Sequence, residues 1–387
     1  MSWRLALSAQ AALLQSGWVG VRLMIGYRAV ELGAEAFLLG VIAAAFAVPE
    51  LFAALPVGRL SDRIGGSRVS LGGVGAFVLG IALLFAPLGI GGVLVSALVV
   101  GLGNLFVMIG QQTFVAHRAR GGASEGGFAT LTTAASLGQL IAPPLVTVVA
   151  TMGAASAGAP NTLLGAAVCI ALALLGLAGS HRLHILDRAD ARVTAPTDER
   201  LGLRDVTRVP GLLRSMLVSA AVLVTVDLLY AYIPLWAGEH EVPAVVVGAL
   251  LALRAAVSVL SRIGLSRLVA RLGRKPLLCI ALLAGVVALI ALPLVGPLGA
   301  VPVMIGLGLA LGIPQPLTMS WVVRITPAAV HGAALGMRMT ANRLAQIALP
   351  VGIGATVGGL GVAGVYWANA ALLAGAIAVL GRSRLDD

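Results

Sequence analysis

The side chains able to do chemistry here are the few charged and polar groups set inside long apolar stretches. Asp227 and Glu50 are the two acids so placed. A carboxylate held away from water can take up and release a proton, so both are proton-coupling candidates. Arg22, Arg254, Arg338 and Arg343 are the matching cations, suited to an anionic ligand or to hydrogen bonds between helices. Helical spacing collects further polar groups around them. Gln15, Trp18 and Arg22 share one face, as do Asn104, Met108 and Gln111. Arg338 shares a strip with Asn342, and Arg343, Gln346 and Pro350 fall on the adjoining one. Tyr230 lies one turn beyond Asp227, and Gln315 completes the set of cavity candidates. The sequence contains no His-Glu-x-x-His and no Gly-x-x-x-x-Gly-Lys turn, so neither zinc-peptidase nor phosphate-loop chemistry is expected. Cys169 and Cys279 are two separate thiols in apolar segments, which argues against a disulfide framework or a metal site. The expectation is a binding protein without enzymatic activity, cofactor or metal.

A second feature is a basic-acidic segment, Gly58-Arg59-Leu60-Ser61-Asp62-Arg63-Ile64-Gly65-Gly66-Ser67-Arg68, flanked by apolar runs. A shift of 208 positions superimposes Arg59, Leu60, Arg63 and Gly65 on Arg267, Leu268, Arg271 and Gly273. The same shift pairs Glu31 with Glu239 and Gly40 with Gly248; a shift of 207 pairs Thr133, Leu137, Gln139 and Pro143 with Thr340, Leu344, Gln346 and Pro350. Repeated landmarks half a chain apart mean two homologous halves.

The elements that must position these residues follow from composition. Of the 387 residues, 59% are hydrophobic and 11% charged, and the mean hydropathy is +1.03. Soluble domains carry about a quarter charged residues, so the chain belongs in a lipid bilayer. A crossing helix needs about 20 apolar residues, which predicts twelve spans, roughly 5–29, 36–57, 69–87, 91–114, 127–152 and 161–180 in the first half. In the second half they run roughly 213–236, 243–265, 276–296, 299–322, 332–357 and 360–381. The expected domains are a six-helix bundle at 1–180, a charged cytoplasmic linker at 181–212 with a short amphipathic helix near 200–208, and a second bundle at 213–387. The net charge of +11 is spread over alternate loops (Arg59, Arg63, Arg68, Arg118, Arg120, Arg267, Arg271, Arg274, Lys275, Arg324, Arg382 and Arg384), which puts those loops and both termini in the cytoplasm. No compact basic domain or nucleic-acid motif is present, so nucleic acid is not an expected partner.

With those residues in place, the chain resembles the major facilitator superfamily over essentially its whole length. The most specific element is the loop between the second and third helices, where Gly58, Leu60, Asp62, Arg63 and Gly65 match Gly-x-Leu-x-Asp-Arg-x-Gly. The second copy keeps Gly273-Arg274-Lys275 but has Ala270 in place of the Asp. Glycines suit a tight turn, and basic residues anchor it at the membrane surface. In the family the loop Asp faces a neighbouring helix N-terminus, so the resemblance implies a gating latch at Gly58, Asp62, Arg63 and Gly65. A topology anchor is the simpler alternative. A weaker resemblance, to proton-driven drug exporters, rests on Gly138-Gln139-Leu140-Ile141-Ala142-Pro143-Pro144 in the fifth helix.

The resemblance implies an all-α integral membrane protein of two pseudo-symmetric six-helix bundles, in a bacterial inner membrane and monomeric. The function expected of it is secondary transport of a small organic solute by alternating access, with proton-coupled efflux as the first reading. Proton-coupled uptake of an organic anion and a non-transporting receptor or sensor are the alternatives. In the family, helices 1, 4, 7 and 10 line the cavity, so Arg22 and Asp227 are expected to face each other there, as a coupling pair or a static ion pair. Glu50 is expected to partner Arg59 or Arg63 in the structure rather than carry a proton.

Overall fold

The computed structural model describes residues 3–118, 124–152, 159–189, 209, 211–326 and 331–381. Helices account for nearly all of them, and no strand occurs among the described residues. This is the response of a backbone to hydrocarbon, where each N–H and C=O must be satisfied within its own segment. The first half contains α1 (Trp3–Glu31), α2 (Ala36–Ile64), α3 (Gly66–Ala82), α4 (Gly89–Arg118), α5 (Ser124–Met152) and α6 (Thr162–Ala189). The second contains α7 (Leu212–Glu239), α8 (Ala244–Leu260), the short α9 (Leu265–Leu272), α10 (Arg274–Ala291), α11 (Ala300–Gly312), α12 (Pro314–Ile325), α13 (His331–Val357) and α14 (Gly361–Gly381).

Nine stretches among the described residues are long and apolar enough to cross a membrane, α11 and α12 counting as one, Ala300–Val322. Helices α1, α8 and α13 occupy the sites of the three other expected spans; α8 is apolar but only 17 residues long, and α13 carries Arg338 and Arg343. The outward surface is apolar, with Phe52, Met152 and Leu298 74%, 79% and 87% exposed. The protein is a multi-pass membrane protein.

The chain divides into two compact units. Unit 1 comprises residues 1–34, 45–196 and 241–252, and unit 2 comprises 35–44, 197–240 and 253–387. In unit 1, α1 packs on α5 and α6, and α3 packs on α4 and α6. In unit 2, α7 packs on α12, α13 and α14, and α10 packs on α11 and α14. The repeated acids have parallel duties within their units. Glu31, at the end of α1, accepts the Thr162 hydroxyl at the start of α6 at 2.8 Å. Glu239, at the end of α7, accepts the Val362 amide at the start of α14 at 3.4 Å. Each carboxylate therefore meets the positive end of a helix.

Two local expectations are corrected. The segment from Gly58 to Ile64 is helical, the last two turns of α2, so the turn is confined to Gly65, whose φ of 95° only glycine adopts without strain. Gly58 is an open position on that helix, with nothing near a side chain added there. The span expected at 243–265 stops at Leu260, and α9 follows after a four-residue connection. The span expected at 299–322 is present as Ala300–Val322, its two helices meeting at Ile313 because Pro314 has no amide hydrogen to donate. In the linker, α6 continues to Ala189, and the helix expected near 200–208 lies outside the described residues.

Glycines bring the backbones of α3 and α4 close together. Gly66, Gly73 and Gly80 follow one another at seven-residue intervals and meet Gly110, Gly103 and Val100. Ser96, seven residues before Gly103, donates to the Gly80 carbonyl at 2.7 Å. Without a hydrophobic drive between helices in lipid, small residues gain contact by letting backbones approach. A Cβ at Gly73 would lie 2.7 Å from both Phe106 Cβ and Val107 N. Gly73→Val is therefore expected to destabilise unit 1 by about 1–3 kcal/mol or more, read as a lower thermal-unfolding midpoint in detergent; an unchanged midpoint would refute the seam.

Candidate functional site

Unit 2 gathers most of the buried charge. On α7, Asp227 is 6% exposed, and its Oδ2 accepts a 2.6 Å hydrogen bond from Gln346 Nε2 on α13. The Gln346 Oε1 in turn accepts from Arg343 Nη1 at 2.8 Å. Three residues from two helices thus form one chain, carboxylate to amide to guanidinium. A turn further along α7, Tyr230 is buried and accepts from Arg254 Nη2 on α8 at 3.2 Å. The Arg254 guanidinium also lies 5.6 Å from the Tyr230 ring centre, within range of a cation–π attraction. A third cluster joins α13 to α12, where Arg338 Nη2 donates to Gln315 Oε1 at 3.2 Å and to Thr318 Oγ1 at 3.1 Å. Charged side chains buried in a membrane protein are costly and occur mostly at functional sites, so three such clusters in one unit make it the candidate site.

Unit 1 is organised differently. Arg22 on α1 lies 5.4 Å from the ring centres of both Trp18 and Phe46, which are themselves edge-to-face at 5.5 Å. Gln111 donates to Gln10 Oε1 at 3.3 Å, and Gln10 Nε2 reaches Ser70 Oγ at 2.8 Å and Ser180 Oγ at 2.6 Å. Gln111 therefore belongs to a buried polar knot tying α1, α3, α4 and α6 together. Gln10, Ser70 and Ser180 were not among the expected residues; a glutamine inside the first apolar run was the available signal. Gln15 and Asn104 are half-buried on α1 and α4. Glu50 is 4% exposed on α2, and Arg63 is exposed near the end of that helix. The Asp62 side chain lies outside the described residues. Arg22 belongs to unit 1 and Asp227 to unit 2.

The 208-residue repeat exposes a relation between the aromatic contacts. Arg22 and Phe46 of unit 1 correspond to Tyr230 and Arg254 of unit 2. Both pairs bring a guanidinium over a ring, at 5.4 Å and 5.6 Å, but the cation and the aromatic have exchanged helices. The Asp227 position corresponds to Val19, so the carboxylate has no counterpart in unit 1. Thr318 went unnoticed in the sequence, although it lies one turn from Gln315 on α12.

Residues 7–350 match the profile of the Major Facilitator Superfamily. The chain belongs to that superfamily. Curated protein sequences yield no match. Among solved structures, the nucleoside transporter NupG is similar over 99% of this chain and 100% of its own, with 16% identity and a TM-score of 0.76. A peptide transporter POT variant in complex with sulfate is similar over 98% and 94%, with 15% identity and a TM-score of 0.74. A bacterial homologue of the human lysosomal transporter Spinster, inward-facing and occupied, is similar over 98% and 95%, with 13% identity and a TM-score of 0.72. At these identities the structural likeness establishes the major facilitator fold, and family membership makes the chain a transporter rather than an enzyme. The spacing Gly122-Ala123-Ser124-Glu125-Gly126 has the form of a nucleophile elbow. Ser124 opens α5, and Gly122 and Ala123 lie outside the described residues.

Tyr230→Phe keeps the ring under Arg254 and removes the hydroxyl acceptor, with an expected cost of about 1 kcal/mol. Tyr230→Leu removes the ring as well and is expected to cost about 1–2 kcal/mol more. Thermal unfolding of the two purified variants checks the order; equal midpoints would remove the cation–π contribution.

Proposed function

We propose that this protein is a proton-coupled secondary transporter that exports a small organic solute by alternating access. The observation supporting the coupling is the chain from Asp227 through Gln346 to Arg343. As a carboxylate, Asp227 holds the Gln346 amide by a charge-assisted hydrogen bond. Protonation removes that charge, weakens the hold on Gln346, and releases the amide that also orients Arg343. One proton thus changes how α13 is tied to α7, a local electrostatic event able to bias a two-state element. Export is favoured by the fifth-helix resemblance to proton-driven drug exporters. In α5, Gly138 lies against Ala12 and Ser16 of α1, and Pro143 and Pro144 interrupt the helical ladder. The reading includes twelve spans, six to a half, with both termini in the cytoplasm, in a bacterial inner membrane and as a monomer. Asp62, on the last turns of α2, retains its proposed part as a latch; Asp62→Asn is expected to lower turnover more than substrate binding.

Uptake of an organic anion is the second reading, favoured by the excess of buried guanidinium over carboxylate in unit 2. Flux in proteoliposomes under an imposed pH gradient separates the two, since opposite movement of proton and solute marks export and co-movement marks uptake. Asp227→Asn mimics the protonated carboxyl permanently. It is expected to reduce gradient-driven flux at least a hundredfold while leaving solute exchange without a gradient within a few-fold of the parent. Unchanged coupled flux would exclude Asp227 from the mechanism.

A further inference from the structure

We propose that Arg338, Gln315 and Asn342 form a subsite for an oxyanion, the carboxylate or phosphate group of the transported solute. The assignment rests on the reading of this chain as a solute transporter and specifies the chemistry its solute carries, whichever way that solute moves. Arg338 is 5% exposed, and its contacts, Gln315 and Thr318, are neutral. No carboxylate pairs with it among the described residues. Its Nε is buried without a hydrogen-bond partner, and so are Gln315 Nε2 and Asn342 Oδ1. A donor taken from water and left unpaired is a net loss to the fold, and natural proteins keep few of them.

The three orphaned atoms have a common logic. The Arg338–Gln315 hydrogen bond links the two side chains, so a guanidinium N–H and an amide N–H, both without a partner, belong to one bonded pair beside a permanent positive charge. Two donors at a cation are the complement of an oxyanion. Asn342, four residues after Arg338 on α13, shares its face and is 4% exposed. Its carbonyl offers an acceptor to a hydroxyl or amine near the anion. The ligand class is therefore a small organic anion with a hydrogen-bond donor close to its acidic group. The equivalent positions of α5 are Leu131 and Ala135, so the subsite belongs to unit 2 alone.

The test is thermal unfolding of the full-length protein in a neutral detergent, titrated with sodium phosphate or sodium acetate against chloride at constant ionic strength. A saturable rise in midpoint is expected, with Arg338→Gln raising the half-saturating concentration at least tenfold. Arg338→Lys should fall between, because ammonium keeps the charge and loses the planar fork. Gln315→Leu should weaken the response several-fold and decides the matter if Arg338→Gln does not fold. Arg324→Gln, at an exposed residue of α12, should match the parent. Equal half-saturation in parent and subsite variants, or no saturable response to either anion in the parent, would overturn the proposal. A response confined to phosphatidylglycerol in nanodiscs would also overturn it, by assigning the site to a lipid headgroup. No gradient is present in this measurement, so failure of the coupling reading and failure of this one are separable.

Discussion

A charge held inside a membrane-spanning bundle has no water to compensate it, and the arrangement of this protein follows from that constraint. Each intramembrane guanidinium must find a ring, an amide or a hydroxyl within reach, and each carboxylate a donor. The compensating groups come from neighbouring helices, so every buried charge also dictates which helices touch. Asp227 brings α13 to α7 through Gln346, Arg254 brings α8 to α7 through Tyr230, and Arg338 brings α13 to α12. Each of these contacts compensates a charge, so its strength depends on that charge more than a contact between neutral groups would. Such contacts are costly as packing and useful as switches.

The duplication gives a frame for how unevenly the buried charges are shared. Two copies of one bundle start with equivalent positions, and divergence has left unit 2 with more of the buried charged ties, while unit 1 keeps Arg22 against its rings and Glu31 on Thr162. The polar knot around Gln10 joins four helices using amides and hydroxyls only, and the α3–α4 seam uses hardly more than backbone contact. Neither responds to pH or to an anion. In unit 2 the positions matching Val19, Leu131 and Ala135 hold Asp227, Arg338 and Asn342. The exchanged cation–π pairs, Arg22 with Phe46 and Tyr230 with Arg254, record the common ancestry while moving the cation from the first helix of one half to the second helix of the other.

Reading the chain as a string located the charged residues and the repeat but misjudged local geometry where glycine and proline act in context. Gly58 looked like part of a turn because it opens a motif, yet the helical hydrogen bonds run on through it to Ile64. Only Gly65 needs the conformation that glycine alone supplies. Pro49 and Pro56 remain inside α2, whereas Pro314 divides α11 from α12. The same residue type thus sits in mid-helix in one place and opens a helix in another, where its missing amide hydrogen has no helical partner to lose. The polar knot escaped notice because its members are far apart in sequence and individually ordinary.

The sequence by itself determined that the chain is a helical membrane protein of duplicated design, because hydrocarbon admits no other use of such composition and because shifts of 207 and 208 residues survive divergence. It also singled out Asp227, Arg254, Arg338 and Gln346, since an ionisable or amide side chain inside an apolar run stands out without coordinates. Partnership was decided only by the tertiary structure. Whether Gln346 meets Asp227, whether Arg254 meets Tyr230, and which donors of Arg338 and Gln315 remain unpaired depend on the rotation and depth of whole helices. Those are set by thousands of weak contacts between helix faces, each too small to be visible in the order of the residues.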